Sequence, residues 1–309
     1  MKNKTLDSIG FIGLGKMGYN MAKLIKKKSE INVYGFDKDE KVRKSIKEFG
    51  AVSVNSLDEM VEQLGEDQLN FWMMLPSEHT SKTFNLLVRK IKNQGDQQFI
   101  IDGSNSNFKK TIKRHKKARK HGIGMLDVGV SGGILARETG YPMMIGGDKD
   151  IYEYAKPLFS SLANKESFGR VGEAGTGHYL KMVHNWIEYG IMEALGEGVN
   201  LLFNGHYKNR LDIVEGFRIF TNNTIIDGTL TNVTYNALLK DPNLESVKPY
   251  VEENGEGYWA SLEALENEVP SVVNSYAVSS RRISRGKDDP KHKIIALMRK
   301  GFGGHDTKK

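Results

Sequence analysis

The 309-residue chain contains no cysteine, which excludes a disulfide framework, thiolate catalysis and sulfur-ligated metal sites. Long apolar runs are missing as well. The first, Ile9 to Leu14, is interrupted by Gly10 and Gly13 and is too short for a signal-peptide core or a membrane span. A cytoplasmic location and no membrane partner are therefore expected. There is no repeat of fixed period and no low-complexity tract, and no group of histidines and carboxylates has ligand spacing, so no metal is expected. The most basic stretch, Lys109 to His121 (KKTIKRHKKARKH), lacks aromatic residues. Without rings for base stacking it reads as an exposed basic helix face, and nucleic acid is not expected as a partner.

What is present fits a two-domain globular protein. Hydrophobic residues make up 39% of the chain and are spread along it, and its length exceeds the usual size of one core. The formal net charge of +7 suits an anionic small molecule. Further strands are expected at GMLDVGV and, after a Gly-rich turn, at YPMMIGG; before them, from residue 8 onward, β-rich runs alternate with helical patterns: IGFIGL, a helix over Tyr19 to Lys28, INVYGF, a helix over Glu40 to Phe49, LNFWMML and QFIIDG. That alternation predicts a parallel sheet with crossover helices, a doubly wound α/β domain of Rossmann type. After about Gly177 the strands stop. Tyr179 to Phe203 carries apolar residues at helical spacing without a proline, and more helical stretches follow, separated by turns such as Lys240-Asp241-Pro242-Asn243. The expected division is residues 1–178 for the Rossmann domain and 179–309 for an all-α domain, ending in a polar tail, Gly303 to Lys309, that is mobile unless docked.

Gly13-Leu14-Gly15-Lys16-Met17-Gly18 has the G-x-G-x-x-G spacing, follows a predicted strand and opens a predicted helix. In that context Gly13 makes the tight turn, Gly15 lets a pyrophosphate approach the backbone, and Gly18 lets helix and strand pack closely. Asp37 stands 19 residues after Gly18, at the end of the second predicted strand. A carboxylate there accepts ribose hydroxyls and repels a 2′-phosphate, which favours NAD over NADP; the neighbouring Lys38 pulls the other way. Met74 and Leu75, closing the run LNFWMML, are counted with the cofactor-binding residues.

Lys181, His184, Asn185 and Glu188 stand at i, i+3, i+4 and i+7 of the long predicted helix, placing an amine, an imidazole, an amide and a carboxylate on one face. Spacing alone fits an exposed Lys–Glu face as well as a catalytic one. The segment KMVHNWIEYG, however, resembles the 6-phosphogluconate dehydrogenase family of β-hydroxyacid dehydrogenases. The resemblance extends to GFIGLGKMGYNMA, IDGSNS, VSGGILARETGYPMMIGG and NGEGYW, and the ending FGGH is similar to the close of the family's short form. It departs at Trp186 and Ser104, where glycine is usual, and at Ile134 to Leu135, where the longer form has acidic residues.

The resemblance implies oxidation and decarboxylation of 6-phosphogluconate, a phosphorylated sugar acid, by a homo-oligomer, dimer or tetramer. It implies Lys181 as general base, its pKa lowered by desolvation, and Glu188 as general acid, its pKa raised by burial. Asn185 would orient substrate and nicotinamide, His184 would bind substrate hydroxyls, and Asn105 would touch both substrate and cofactor. Ser131, Gly132 and Gly133 match a loop that meets the substrate carboxylate. Tyr189 and Arg281 match phosphate-binding positions, although Arg282 and Arg285 blur the register, and His305 would reach a neighbouring subunit's site. Two other readings stay open: a related β-hydroxyacid dehydrogenase for a different small hydroxy acid, and a dinucleotide-binding regulator without turnover.

Overall fold

The computed structural model describes residues 5–66, 69–92, 98–284 and 289–308; Arg285 and Lys309 lie outside them. The chain divides into two compact units, Met1–Lys181 and Met182–Lys309. In the first, the strands are β1 (Ser8–Ile12), β2 (Asn32–Phe36), β3 (Val52–Ser53), β4 (Asn70–Met73), β5 (Phe99–Asp102), β6 (Gly124–Val130), β7 (Met143–Gly147) and β8 (Phe168–Gly172). The helices between them are α1 (Lys16–Lys28), α2 (Glu40–Ser45), α3 (Leu57–Leu64), α4 (Ser77–Ile91), α5 (Phe108–Arg119), α6 (Ala136–Thr139) and α7 (Lys149–Leu162). The sheet order is β3-β2-β1-β4-β5-β6-β7-β8, with the direction change beside β1 that marks a doubly wound fold.

Both faces of the sheet are covered, because side chains alternate along each strand. Phe11, Trp72, Phe99, Ile101, Leu126 and Val128 enter one core with Met21 and Ile25 of α1 and Leu158 and Phe159 of α7. Ile12, Phe71, Met73, Ile100 and Met125 enter the other, with Met60 of α3, Phe84 and Leu87 of α4 and Ala118 of α5.

The fold class follows the expectation, with local differences. β6 and β7 are antiparallel, so the sheet is parallel only from β3 to β6 in its spatial order, and β7 and β8 run the other way together. The β6–β7 connection contains only the four-residue α6, too short a crossover to return a parallel strand. β3 has two residues and β8 contains Gly169 and Arg170, so neither shows the β-rich pattern that flags a strand. The helix expected over Glu40 to Phe49 is α2 followed by a 3₁₀ turn, Ile46–Phe49. The basic stretch is not wholly exposed. Lys109, Lys113, Lys116 and Lys117 face solvent, but Arg114 and His115 are buried. Arg114 is ion-paired at 2.7 Å with fully buried Asp102, and His115 Nε2 lies 3.3 Å from Asp148.

α8 (Thr176–Asn204) begins in the first unit and runs on into the second, which adds α9 (Ile213–Phe220), α10 (Thr229–Lys240), α11 (Glu256–Glu266), α12 (Val272–Ile283) and α13 (Pro290–Gly303). This unit is all helical. Met192, Val199, Phe217, Val233, Leu238, Ile294 and Met298 form its main core, and Tyr189, Ala277 and Val278 form a smaller one with Trp186 against it. A buried polar chain ties three helices: Lys291 Nζ donates to Glu193 at 2.8 Å and to Ser280 at 3.1 Å, and His292 lies between Ser280 and Asp289. Ser280, His292 and Asp289 have the order of a hydrolase triad. The Ser280 hydroxyl is buried beyond reach of a substrate, which makes this a structural tie.

Arg114→Met leaves Asp102 charged and buried without its partner, and the expected loss of stability is about 3–5 kcal/mol. Lys113→Met on the exposed side should stay within about 0.5 kcal/mol of wild type. Urea unfolding of both variants checks the contrast; equal midpoints would show the ion pair to be dispensable.

Candidate active site

The glycine-rich turn is built as its spacing predicts. Gly13 has φ +93°, and a Cβ there would meet the Met74 carbonyl oxygen at 2.3 Å. A Cβ on Gly18 would lie 2.1 Å from the Gly13 carbonyl, so α1 can pack on β1 only with glycine at this position. Above Gly15 there is nothing within 4 Å, and no side chain caps α1. The open backbone and uncapped amides fit a dinucleotide pyrophosphate.

The Asp37 carboxylate is engaged within the protein. Its Oδ2 accepts from Leu14 N at 2.7 Å and its Oδ1 from Asp39 N at 2.9 Å, so the carboxylate also pins the glycine turn. Lys38 is exposed. Arg43, which the sequence did not single out, donates to the Asp37 carbonyl at 2.7 Å and lies over Phe36. Lys16 and Met17 follow on the first turn of α1, and Met74 and Leu75 follow β4, with Met74 N bonded to the Ile12 carbonyl. Ser104 explains its departure from the family's glycine, since its hydroxyl accepts from Leu75 N at 3.3 Å and joins the loop carrying Asn105 to the loop after β4.

The start of α8 is held by a carboxylate from another element. Asp127 of β6 accepts from Gly175 N at 2.7 Å and from His178 N at 2.9 Å, acting as the helix's cap. Asp102, paired with Asp127 in the sheet, is neutralised by Arg114. Arg114 donates to Thr111 Oγ1, which bonds His178 Nδ1 at 2.8 Å, so one buried network joins α5, β5 and the first turn of α8. Glycines complete the seat. A Cβ on Gly129 would meet Lys181 Cβ at 2.4 Å, and one on Gly177 would meet the Asp127 carbonyl at 2.4 Å. The outcome is Lys181 Nζ 3.3 Å from Ser131 Oγ, beside Gly132 and Gly133, whose φ of +91° and +53° shape the loop.

In the second unit, His184 Nδ1 lies 3.0 Å from Asn185 Oδ1 and 3.9 Å from Glu188 Oε2. Asn185 Nδ2 donates to Glu256 at 2.8 Å. Tyr189 and Arg281 meet as the resemblance implies, the guanidinium 3.3 Å above the ring centre. Arg281 is 2% exposed, whereas Arg282 is exposed over Tyr258. Burial pushes the Tyr189 hydroxyl up to about 12, opposed by the field of Arg281, and the same burial holds Arg281 below its usual value.

Arg299 of α13 was not flagged by the sequence. It is 5% exposed and donates to Asn254 Oδ1 at 3.4 Å, with burial lowering its pKa and Tyr189 acting against that. Among the described residues no carboxylate lies within ion-pair distance of Arg281 or Arg299. Their charges are offset through the longer-range fields of Glu188, Glu193, Glu252 and Glu256, and two buried guanidiniums so placed suit an anion. Trp186 packs on the Tyr189 cluster, so the indole serves as packing. His305 lies beside Gly303, and Lys248 N donates to the Lys308 carbonyl at 2.9 Å. The described residues include no group of three possible metal ligands and no helix long and apolar enough to cross a membrane.

A glycine turn open to a pyrophosphate, at the carboxyl end of β1 in a doubly wound sheet, defines a nicotinamide-dinucleotide-binding oxidoreductase. The comparisons narrow this class. Residues 8–172 match the NAD binding domain of 6-phosphogluconate dehydrogenase, and residues 177–305 match the C-terminal domain of the same enzyme. The chain belongs to the 6-phosphogluconate dehydrogenase family. It is 34% identical to the Bacillus subtilis (strain 168) protein named "Putative 6-phosphogluconate dehydrogenase YqeC", over 97% of this chain and 99% of that one. It is 32% identical to the NAD(+)-dependent, decarboxylating 6-phosphogluconate dehydrogenase of Haloferax volcanii, over 97% and 98%. The structure of Plasmodium falciparum 6-phosphogluconate dehydrogenase shares the fold, with a TM-score of 0.80 at 24% identity, covering 90% of this chain and 62% of that one.

Gly18→Ala should weaken dinucleotide binding by about tenfold or more, or ~1.4 kcal/mol, because the helix must move off the turn. Gly129→Ala, which disturbs only the seat of Lys181, should leave the affinity within about twofold, well inside that range. Calorimetric titration with NAD and NADP checks both, and equal losses would break the assignment.

Proposed function

We propose that the protein oxidises and decarboxylates 6-phosphogluconate, and that NAD is its preferred acceptor. The observation that carries the reading is the pair of buried guanidiniums, Arg281 and Arg299, beside Tyr189, neither in direct contact with a carboxylate: this is charge suited to a phosphate dianion. Ser131 with the backbone of Gly132 and Gly133 receives the carboxylate, and His184 and Asn185 receive hydroxyls. Lys181, Asn185 and Glu188 share one face of α8 by helical spacing.

A bound nicotinamide dinucleotide supplies a hydride acceptor. Lys181 Nζ accepts the proton of the β-hydroxyl as the carbon it leaves becomes a carbonyl. The β-keto acid then breaks its bond to the carboxylate, releasing carbon dioxide, while Lys181 returns a proton to the carbonyl oxygen to give an enediol. Glu188 donates a proton to the terminal carbon of that enediol while Lys181 takes back the proton of the adjacent enol hydroxyl, which becomes the ketone, and the product is ribulose 5-phosphate. Asp37 beside Leu14 supports the NAD preference, since a 2′-phosphate would meet its charge. The exposed apolar side chains of the second unit, among them Leu201, Ile225, Leu265 and Val272, support a homo-oligomer.

With 6-phosphogluconate and NAD, reduced cofactor and carbon dioxide should appear together, and Lys181→Met should lower both by about a thousandfold. Equal rates with unphosphorylated gluconate would overturn the phosphate assignment and favour another hydroxy acid.

For the cofactor, Asp37→Ser should raise the NADP-to-NAD ratio of kcat/KM by about tenfold, the equivalent of one 1.4 kcal/mol repulsion removed. An unchanged ratio would show that Asp37 only braces the turn.

A further inference from the structure

Glu256 opens α11 after Gly255, whose φ of +101° brings the chain sharply round. It is 4% exposed, its Oε1 accepts from Asn185 Nδ2, and its buried Oε2 has no hydrogen-bond partner. A buried carboxylate is costly to keep unless it has work to do or a field to offset it. Arg299 supplies part of that field.

The consequence travels through two hydrogen bonds. A carboxylate only accepts, so the side of Asn185 facing Glu256 must be its NH₂ group. The Asn185 oxygen is thereby turned to His184 Nδ1, at 3.0 Å. An amide oxygen also only accepts, so Nδ1 must carry the proton, and the neutral ring keeps its lone pair on Nε2. Glu188 Oε2, 3.9 Å from the same Nδ1, favours the same proton position.

We propose that Glu256 is a positioning residue that orients the Asn185 amide and, through it, fixes His184 as the Nδ1–H tautomer, so that Nε2 accepts a hydrogen bond from a substrate hydroxyl. The last clause rests on the function proposed above. The tautomer does not, because Asn185 and Glu188 of α8 and Glu256 of α11 argue for it without a substrate. Neither residue type nor spacing in NGEGYW indicates this role, since Glu256 stands 71 residues from Asn185.

The test uses the full-length protein with ¹⁵N-labelled histidine, above the pH at which imidazoles are charged, with His184 assigned by its loss in His184→Gln. Long-range ¹H–¹⁵N spectra distinguish the two tautomers without substrate. Wild type should show Nδ1–H. Glu256→Leu should shift the population toward Nε2–H, because the freed amide can turn its NH₂ to the ring. Glu256→Gln, of the same size but able to donate or accept, should lie between and remains folded if the leucine variant does not. In parallel, Glu256→Leu should lower kcat/KM by on the order of tenfold, the worth of one lost hydrogen bond, with dinucleotide affinity kept. An Nε2–H wild type, or an unchanged tautomer in both variants, overturns the proposal. A clean tautomer shift in a protein that turns over a different hydroxy acid would instead retain it and reject 6-phosphogluconate.

Discussion

A single buried carboxylate, Asp127, holds the start of the long helix α8, which carries Lys181, Asn185 and Glu188. By accepting the amides of Gly175 and His178 it gives the first turn of α8 a counter-charge that no nearby residue in sequence provides. The helix then starts at a defined place on β6, and Lys181, one turn on, reaches Ser131. The neighbouring Asp102 is satisfied separately by Arg114, so two acidic groups on adjacent strands coexist in one low-dielectric layer. Thr111 and His178 link the two systems and make the layer one network.

Close approach is the second constraint. Gly18 against Gly13, Gly129 against Lys181, Gly257 against the Tyr189 ring and Gly177 against Asp127 each mark a point where a side chain would push a functional group away. These four glycines stand where backbone or ring must come within van der Waals contact of a positioned residue. Gly15, in the dinucleotide turn, differs: the space above it is open, as needed where a ligand rather than protein is to sit.

Much of this was legible beforehand. The alternation of β-rich runs and helices gave the doubly wound unit, and the spacing around Gly13, Gly15 and Gly18 located the dinucleotide turn. Where the reading went astray, a local rule had met a tertiary demand. Arg114 and His115 looked like part of a solvated run, but carboxylates 12 and 33 residues away draw them into the interior. The β6–β7 pair departs from the parallel sheet that the alternation predicts, because its short connection permits only the opposite direction.

The sequence by itself determined what depends on short-range geometry: the two-fold strand period, the helical face shared by Lys181, Asn185 and Glu188, and the steric need for glycine in the turn. Those features are encoded within a few residues, so their period or spacing can be read directly. Only the tertiary structure decided that Asp127 caps α8 from 48 residues away, that Glu256 orients Asn185 from 71 away, and that Arg299 is buried beside Tyr189. Pairings of that separation leave no period in the chain. They arise because a buried charge or amide must find a partner wherever packing brings one within hydrogen-bond reach.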